Sequence, residues 1–221
     1  VEAHNFDMRK NLLEFDDVAN DQRKIIYEQR NDLMLAEDVL ETVKMIRSDV
    51  VNGVIDQYIP PGSMDEQWDV AGLQDAILRQ YGVQMDIQGW LDKDDALHEE
   101  SLREMILADL ETLYEEKEQQ AGSAVMRHFE KALMLQVLDT AWKEHLAAMD
   151  YLRQGIGLRG YGGKDPKREY KKEAFAMFSA LLERIKQDII GYLSKIRVRA
   201  EEDVEAVEKQ RRRRVQMEFQ H

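Results

Sequence analysis

The sequence has no cysteine, and only three of its 221 residues are proline. Without cysteine the chain cannot form a disulfide, a thiolate zinc site, an iron–sulfur cluster or a catalytic thiol, which fits a reducing compartment. No apolar run approaches the roughly 20 residues of a membrane-spanning helix, and no signal peptide opens the chain. Since the sequence begins at Val1 in the middle of a helical pattern, we expect a piece of a longer protein.

Motifs for phosphate or metal binding are also missing. The sequence contains no GxxxxGK[ST] phosphate loop, and His98-Glu99-Glu100 lacks the second histidine of an HExxH motif because position 102 is leucine. The segment KEHLAAMD (143–150) carries polar groups that do not share one helical face. We interpret these groups as ordinary surface or interface residues: Lys143, Glu144, His145 and Asp150. The sequence therefore predicts no catalytic, cofactor-binding or metal-binding residue, and no enzyme activity for this chain alone.

The residues that are abundant favour an all-α fold. Charged residues make up 34% of the chain and hydrophobic residues 43%, with strong helix formers dominating both groups. Apolar residues at helical spacing predict a long first helix and a second helix that starts near Glu37 and stops before Pro60. Short helices punctuated by Gly72, Gly82 and Gly89 should follow, and then a helix over 97–121. Its predicted inward residues are Leu102, Met105, Ile106, Leu110 and Leu113.

The strongest periodicity predicts two helices of about 30 residues each, near 124–153 and 167–197. The inward face of the first comprises Val125, Phe129, Leu133, Val137, Leu138, Trp142, Leu146, Met149 and Leu152. That of the second comprises Tyr170, Phe175, Phe178, Leu181, Leu182, Ile185, Ile189, Tyr192, Leu193 and Ile196. A short connection makes them an antiparallel hairpin with arms of roughly 45 Å.

The connection QGIGLRGYGGKDP (154–166) contains Gly155, Gly157 and Gly160 at the GxGxxG spacing of a dinucleotide-binding loop. Such a loop must follow a β-strand and open a helix. Here the glycines follow a long amphipathic helix instead. We therefore expect neither NAD nor FAD, and interpret the glycines as supplying positive φ in a hairpin turn.

Charge is unevenly distributed along the chain. Residues 36–123 carry six basic and 21 acidic side chains, a net charge of −15, whereas residues 124–198 carry a net charge of +5. This contrast suggests two units with different partners. The run Arg211–Arg214 leaves an alternative open, a helical nucleic-acid-binding or adaptor module. Neighbouring acidic residues favour instead a charged, flexible tail over 199–221.

Four strings of the sequence carry a resemblance to a known family: VEAHNFDMRKNLLEFDDVANDQRKIIYEQRN, WKEHLAAMDYLRQGI, LRGY and KDPKREYKKEAFAMF. They closely resemble the SecA family, bacterial ATPases that drive preproteins through the SecY channel, and the resemblance runs from Val1 to about Arg199. It implies that 1–35 is the first part of a helical scaffold domain and 36–123 a helical wing domain. Residues 124–198 would complete the scaffold and include a two-helix finger with its tip at 154–166.

The resemblance also implies a scaffold that couples nucleotide-binding domains to the finger and regulates ATP hydrolysis in protein export. ATP and Mg²⁺ would bind in nucleotide-binding domains that precede Val1, and the family's cysteine-rich zinc tail is absent. Expected partners are those domains, the SecY channel, unfolded preproteins, acidic lipid headgroups and a second copy in a homodimer, but no nucleic acid. The expected location is the cytoplasm and the cytoplasmic face of the inner membrane, as a peripheral protein.

Site residues follow from the same resemblance. Tyr161 matches an aromatic residue that contacts the translocating polypeptide, and an aromatic ring suits that task through its large contact area. Leu158, Arg159 and Lys164 flank it, and the two basic residues could meet acidic groups or lipid headgroups. Arg9 is a candidate contact from scaffold to motor domains, with a solvated arginine as its alternative. Whether the finger pushes, slides or senses stays open.

Overall fold

The computed structural model describes residues 2–94, 96–159 and 165–196; side chains are described from Phe15 onwards, except those of 157–159. This part of the chain forms seven α-helices and one 3₁₀ turn, without a β-strand, which confirms the all-α prediction. The α-helices are α1 (Glu2–Leu35), α2 (Leu40–Tyr58), α3 (Val70–Tyr81), α4 (Ile87–Leu91), α5 (Glu99–Ala121), α6 (Ser123–Arg159) and α7 (Pro166–Lys195). The 3₁₀ turn spans Asp65–Gln67.

Aspartate caps explain the starts of the two short helices. The carboxylate of Asp69 accepts a hydrogen bond from Gly72 N at 2.9 Å, and that of Asp86 accepts one from Gly89 N at 3.0 Å. Each glycine is therefore the third residue of a helix, where a capped backbone N–H is needed. The prediction that Gly72 and Gly89 punctuate helices is wrong. Gly82 does end α3, in the left-handed conformation with a φ of 71°.

The chain divides into two compact units. Unit 1 consists of Val1–Glu37 and Lys131–Ile189, and unit 2 consists of Asp38–Glu130 and Ile190–His221. Both boundaries in the second half of the chain fall inside helices, since α6 and α7 each contribute residues to both units. The assignment of 1–35, 36–123 and 124–198 to scaffold and wing domains stays a prediction. The proposed tail, 199–221, lies outside the described residues.

Unit 1 is built from α1, most of α6 and most of α7. Helices α6 and α7 each bury one apolar stripe, as the periodicity predicts, whereas the described side chains of α1 include one buried apolar residue, Ile26. Its buried apolar side chains include Ile26, Met134, Leu138, Trp142, Met149, Leu152, Ile156, Tyr170, Phe178, Leu181, Ile185 and Ile189. This stripe extends along α6 and α7, so the core of unit 1 follows the length of the helical pair.

Unit 2 packs α2, α3, α4 and α5 around a separate core. Its fully buried side chains include Val43, Val51, Ile55, Leu73, Ile77, Ile87, Leu102 and Ile106. The end of α7 adds Ile190 and Leu193. Outside this core, most acidic side chains of Asp38–Glu130 are exposed or half-buried, as is usual for carboxylates.

Three apolar residues predicted to face inward are exposed instead: Met105 (38%), Phe175 (73%) and Tyr192 (53%). Another group is only half-buried: Leu113, Val125, Phe129, Leu133, Leu146, Leu182 and Ile196. In α6 the buried stripe includes Met126, Glu130, Ala141 and His145, three of which are small or polar. Hydrophobicity alone misplaced the stripe because contact points between close helices also take small and hydrogen-bonded side chains.

Candidate functional site

Helices α6 and α7 lie antiparallel in unit 1, as predicted. Met149, Leu152 and Ile156 of α6 form one buried cluster with Tyr170 and Ala174 of α7. Ile156 and Tyr170 both lie within about one turn of the helix ends that flank 160–164. Farther from those ends, the Arg184 guanidinium pairs with the Glu144 carboxylate. The two helices are thus packed together almost to the ends that flank 160–164.

Helix α1 contacts both helices of this pair. The ring of Phe15 lies against that of Tyr170 on α7, with centroids 4.5 Å apart and ring planes at 52°. One residue further along α1, Asp16 Oδ1 accepts a hydrogen bond from Arg153 Nη1 on α6 at 2.8 Å. One aromatic contact and one ionic contact therefore hold α1 beside α6 and α7. Both contacts lie toward the ends of α6 and α7 that flank 160–164.

A buried polar node links all three helices farther along. Gln22 on α1 and His145 on α6 are 6% and 5% exposed. The Gln22 amide nitrogen donates to the Ala174 carbonyl oxygen on α7 at 3.1 Å, and its Oε1 lies 2.8 Å from His145 Nε2. Since the amide nitrogen is engaged by a carbonyl, Oε1 must be the acceptor toward the ring. His145 Nε2 therefore carries a proton and donates it.

Aromatic rings enclose the histidine of this node. The Trp142 ring stacks on His145 at 5.5 Å, and the Phe178 ring meets it at 5.8 Å with a 53° tilt. Burial lowers the pKa of His145 below its ordinary value of 6.5, so the ring is neutral at pH 7. A neutral imidazole with a committed Nε2 proton is suited to a structural hydrogen bond.

The interpretation of 143–150 as surface or interface groups needs correction at one residue. Lys143, Glu144 and Asp150 are exposed, but His145 is buried. The signal for its burial was present, because His145 lies three residues after Trp142 and four before Met149, on one helical face. Its partner Gln22 is 123 residues away in the sequence, so no local pattern could identify the pair.

The opposite end of α1 is held by a lysine. Lys131 on α6 donates to the carbonyl oxygens of Met34 and Ala36, both at 2.7 Å. These carbonyls lie at the end of α1, where the helix leaves them without intrahelical partners, and a cation is favoured there. The Arg30 guanidinium also pairs with Asp139 at 2.9 Å. Contacts to α6 thus extend along α1 from Asp16 to its last turn.

The glycine-rich connection begins later than predicted. α6 continues to Arg159, so Gly155 and Gly157 are helical, and the positive-φ glycines of the described chain are Gly62, Gly82 and Gly122. The interpretation of Gly155 and Gly157 as turn glycines is therefore wrong. The helix continues because Ile156, between them, is buried in the cluster with Tyr170.

Two negative findings limit the chemistry of the described residues. They contain no group of three or more histidine and acidic side chains that could hold a metal ion. His98, which begins the segment that partly resembles an HExxH motif, instead caps α5 by accepting a hydrogen bond from Ser101 N at 3.2 Å. Within the same part of the chain, no helix is long and apolar enough to cross a membrane.

The family model of the SecA wing and scaffold domain matches residues 1–197. This chain belongs to the SecA family. A curated SecA, the protein translocase subunit SecA of Nitrosococcus oceani, is 62% identical over all 221 residues. This chain spans 24% of the length of that relative SecA.

The SecA resemblance also supplied the predicted contact residues, and the structure locates only some of them. Arg9 lies on α1, and Leu158 and Arg159 lie in the last turn of α6, with side chains outside the described set. Tyr161 and Lys164 lie outside the described residues altogether. Their roles in SecA therefore stay predictions, as does the run Arg211–Arg214, which is likewise outside.

Proposed function

We propose that this chain couples the nucleotide-binding domains of a SecA translocase to a two-helix finger that contacts the preprotein at the SecY channel. In this proposal α1 is the coupling element, the α6–α7 pair is the finger, and residues 154–166 include its tip. The observation that supports it most directly is the set of contacts from α1 to both helices of the pair, in a chain of the SecA family.

A packed helical pair suits a mechanical role. At 1.5 Å per residue, α6 is roughly 55 Å long and α7 roughly 45 Å. Their shared cluster of Ile156, Tyr170 and neighbours reaches the tip end, so the pair resists bending there better than one helix alone. Because Asp16 and Gln22 tie α1 to these helices, a displacement of α1 would carry the finger with it.

On the motor side, Arg9 is the proposed contact between α1 and the nucleotide-binding domains. ATP and Mg²⁺ would bind in those domains and not in this chain, which has no phosphate loop. The same contact gives the chain a route for regulating ATP hydrolysis, since a tethered finger opposes movement of α1. A homodimer of the parent protein, as the family implies, is compatible with this arrangement.

At the tip, Tyr161 would contact unfolded preproteins with Leu158 beside it. An aromatic side chain offers a large contact area that tolerates changes in the partner's sequence. Arg159 and Lys164 would meet acidic groups at the channel or acidic lipid headgroups. The parent would then act in the cytoplasm and, as a peripheral protein, at the cytoplasmic face of the inner membrane.

Preprotein import into membrane vesicles at saturating ATP tests the tip. In the full-length parent, Tyr161→Ala should lower import sharply without changing basal ATP hydrolysis, and Tyr161→Phe should retain import. Tyr151→Ala is the matched control, because Tyr151 is a tyrosine on α6 that is 80% exposed and lies about two turns before the end of that helix at Arg159. Equal import by Tyr161→Ala and the parent would contradict the tip contact.

A second experiment tests regulation. The rate of ATP hydrolysis by the purified nucleotide-binding domains is measured with and without this chain, added at increasing concentration. We expect a saturable change in the rate, and Arg9→Ala in the added chain should weaken it. A rate that does not depend on the chain would contradict the regulatory role and leave the tip contact to its own test.

A further inference from the structure

Unit 2 contains a buried ionic cluster that has no part in the proposed function. Its members lie on three helices: Arg47 on α2, Tyr114 and Glu118 on α5, and Arg127 and Glu130 on α6. We call these five residues the α5–α6 ionic cluster. Glu130 is fully buried and Arg47 is 6% exposed, so both charges are withdrawn from bulk water.

The members of the α5–α6 ionic cluster form a continuous series of contacts. The Arg47 guanidinium carbon lies 3.9 Å from the centre of the Tyr114 ring, and the Tyr114 hydroxyl donates to Glu130 Oε1. Arg127 Nη2 lies 3.1 Å from the same Glu130 oxygen and 2.7 Å from Glu118 Oε2. Two guanidinium groups are thus balanced by two carboxylates.

These contacts leave four buried polar atoms without a hydrogen-bond partner among the described residues. Three are donors, Arg47 Nη2, Arg127 Nε and Arg127 Nη1, and the fourth is an acceptor, Glu130 Oε2. Buried polar atoms in proteins almost always have a protein or water partner. Leaving a buried polar atom without a hydrogen bond costs about 1–3 kcal/mol, and more when the group is charged.

The chemistry of the four atoms selects the ligand. An anion without a proton, such as a halide, could accept from the guanidinium groups but cannot donate to Glu130 Oε2. The cluster also has no surplus positive charge to hold an anion of any kind. A metal ion would be repelled by Arg47 and Arg127. Water is the small molecule that accepts from guanidinium N–H groups and donates to a carboxylate, and internal waters make about three such bonds.

Burial has opposite consequences for the two kinds of charge in this cluster. It raises the pKa of Glu130 and lowers the pKa of Arg47, because both charged forms lose solvation. A bound water restores part of that solvation to each group.

We propose that the α5–α6 ionic cluster binds at least one internal water molecule between Glu130 Oε2 and the guanidinium groups of Arg47 and Arg127. The site would be internal to unit 2 and independent of the finger.

A crystal structure of this chain at high resolution, grown in sodium bromide, tests the proposal directly. We expect a water oxygen within about 3.2 Å of Glu130 Oε2 and of at least one of the free guanidinium nitrogens. An anomalous peak for bromide at that position would identify a halide site and overturn the proposal. So would direct protein partners for all four atoms with no water among them.

Oxygen-17 relaxation dispersion, which counts long-lived internal waters, gives a second test in solution. The double variant Arg127→Met/Glu130→Met removes three of the four unpartnered atoms together with their ion pair, and should lose at least one such water. Since a chain of this size holds several internal waters, at roughly one per 27 residues, only the difference from the parent is informative.

The matched control is Arg103→Met/Glu99→Met. Arg103 lies in the same unit and pairs with Glu99 and Asp56, and it also donates to Asn52, leaving no unpartnered buried atom. This control should lose no water. An equal loss of water in both double variants, or no loss in Arg127→Met/Glu130→Met, would overturn the proposal. If Arg127→Met/Glu130→Met does not fold, the crystal structure of the unmutated chain decides.

Discussion

Replacing Gln22 by methionine should destabilise unit 1 although the volume of the side chain hardly changes. The substitution removes the hydrogen bond to Ala174 O and the one from His145 Nε2. Ala174 O can keep its intrahelical partner in α7, but the His145 N–H is left buried and unpaired. An orphaned buried donor costs about 1–3 kcal/mol, so we expect a loss near the middle of that range.

A double-mutant cycle isolates the node. His145→Leu alone orphans Gln22 Oε1, whereas Gln22→Met/His145→Leu leaves neither group behind. The double variant should therefore be more stable than the sum of the single losses predicts, with a coupling of about 1 kcal/mol or more. Urea unfolding followed by circular dichroism gives the three free energies. Additive losses, or a Gln22→Met variant as stable as the parent, would refute the hydrogen-bonded node.

The cycle also has a pH signature. Burial lowers the pKa of His145 in the folded chain below 6.5, so the unfolded state takes up the proton first as pH falls. The stability that the neutral, buried His145 contributes is fully present above about pH 6.5, and it is lost as the pH falls toward the lowered pKa of the folded state. The free energy of unfolding of the parent should therefore fall more steeply below pH 6.5 than that of His145→Leu. Parallel pH profiles would contradict the buried, neutral histidine.

Three further outcomes follow from the structure. Trp142→Ala should cost about 3–5 kcal/mol in urea unfolding, because the ring is 6% exposed and stacks on His145; a loss near zero would contradict that packing. Gly155→Ala should stabilise the chain by about 0.5–1 kcal/mol, since an added Cβ meets nothing within 4 Å in a helix, whereas Gly82→Ala, at a φ of +71°, should destabilise it by about 1–2 kcal/mol. Equal melting temperatures for those two variants would refute the helical assignment of Gly155. The chain alone should not bind ATP in calorimetry, because its sequence has no phosphate loop, and micromolar binding would contradict that prediction.

The helices of unit 1 were predictable, but the end of α6 was not. Periodic apolar residues locate α6 and α7 because a long helix must bury one stripe. Gly155 and Gly157 suggested an end near 153, since each glycine costs a helix about 1 kcal/mol. The burial of Ile156 against Tyr170 outweighs that cost, and this tertiary contact is invisible in the local sequence.

The polar contacts of unit 1 were likewise predictable only in part. The position of His145 between Trp142 and Met149 indicated burial, yet its polarity led to a surface interpretation. The pairing with Gln22 depends on how α1 lies along α6, which no spacing within either helix reveals. The tip residues, Tyr161 among them, rest on the family resemblance alone, because a glycine-rich connection carries no periodicity from which to derive a contact.

Unit 1 is discontinuous in the sequence, and this has a consequence for its biosynthesis. Helix α1 is made first, but its partners on α6 and α7 lie within Lys131–Ile189 and follow only after Asp38–Glu130 has been synthesised. At about 5–20 residues per second, the apolar side chain of Ile26 waits on the order of ten seconds for the helices that bury it. During that interval the apolar side chains of α1 are open to aggregation unless a chaperone covers them.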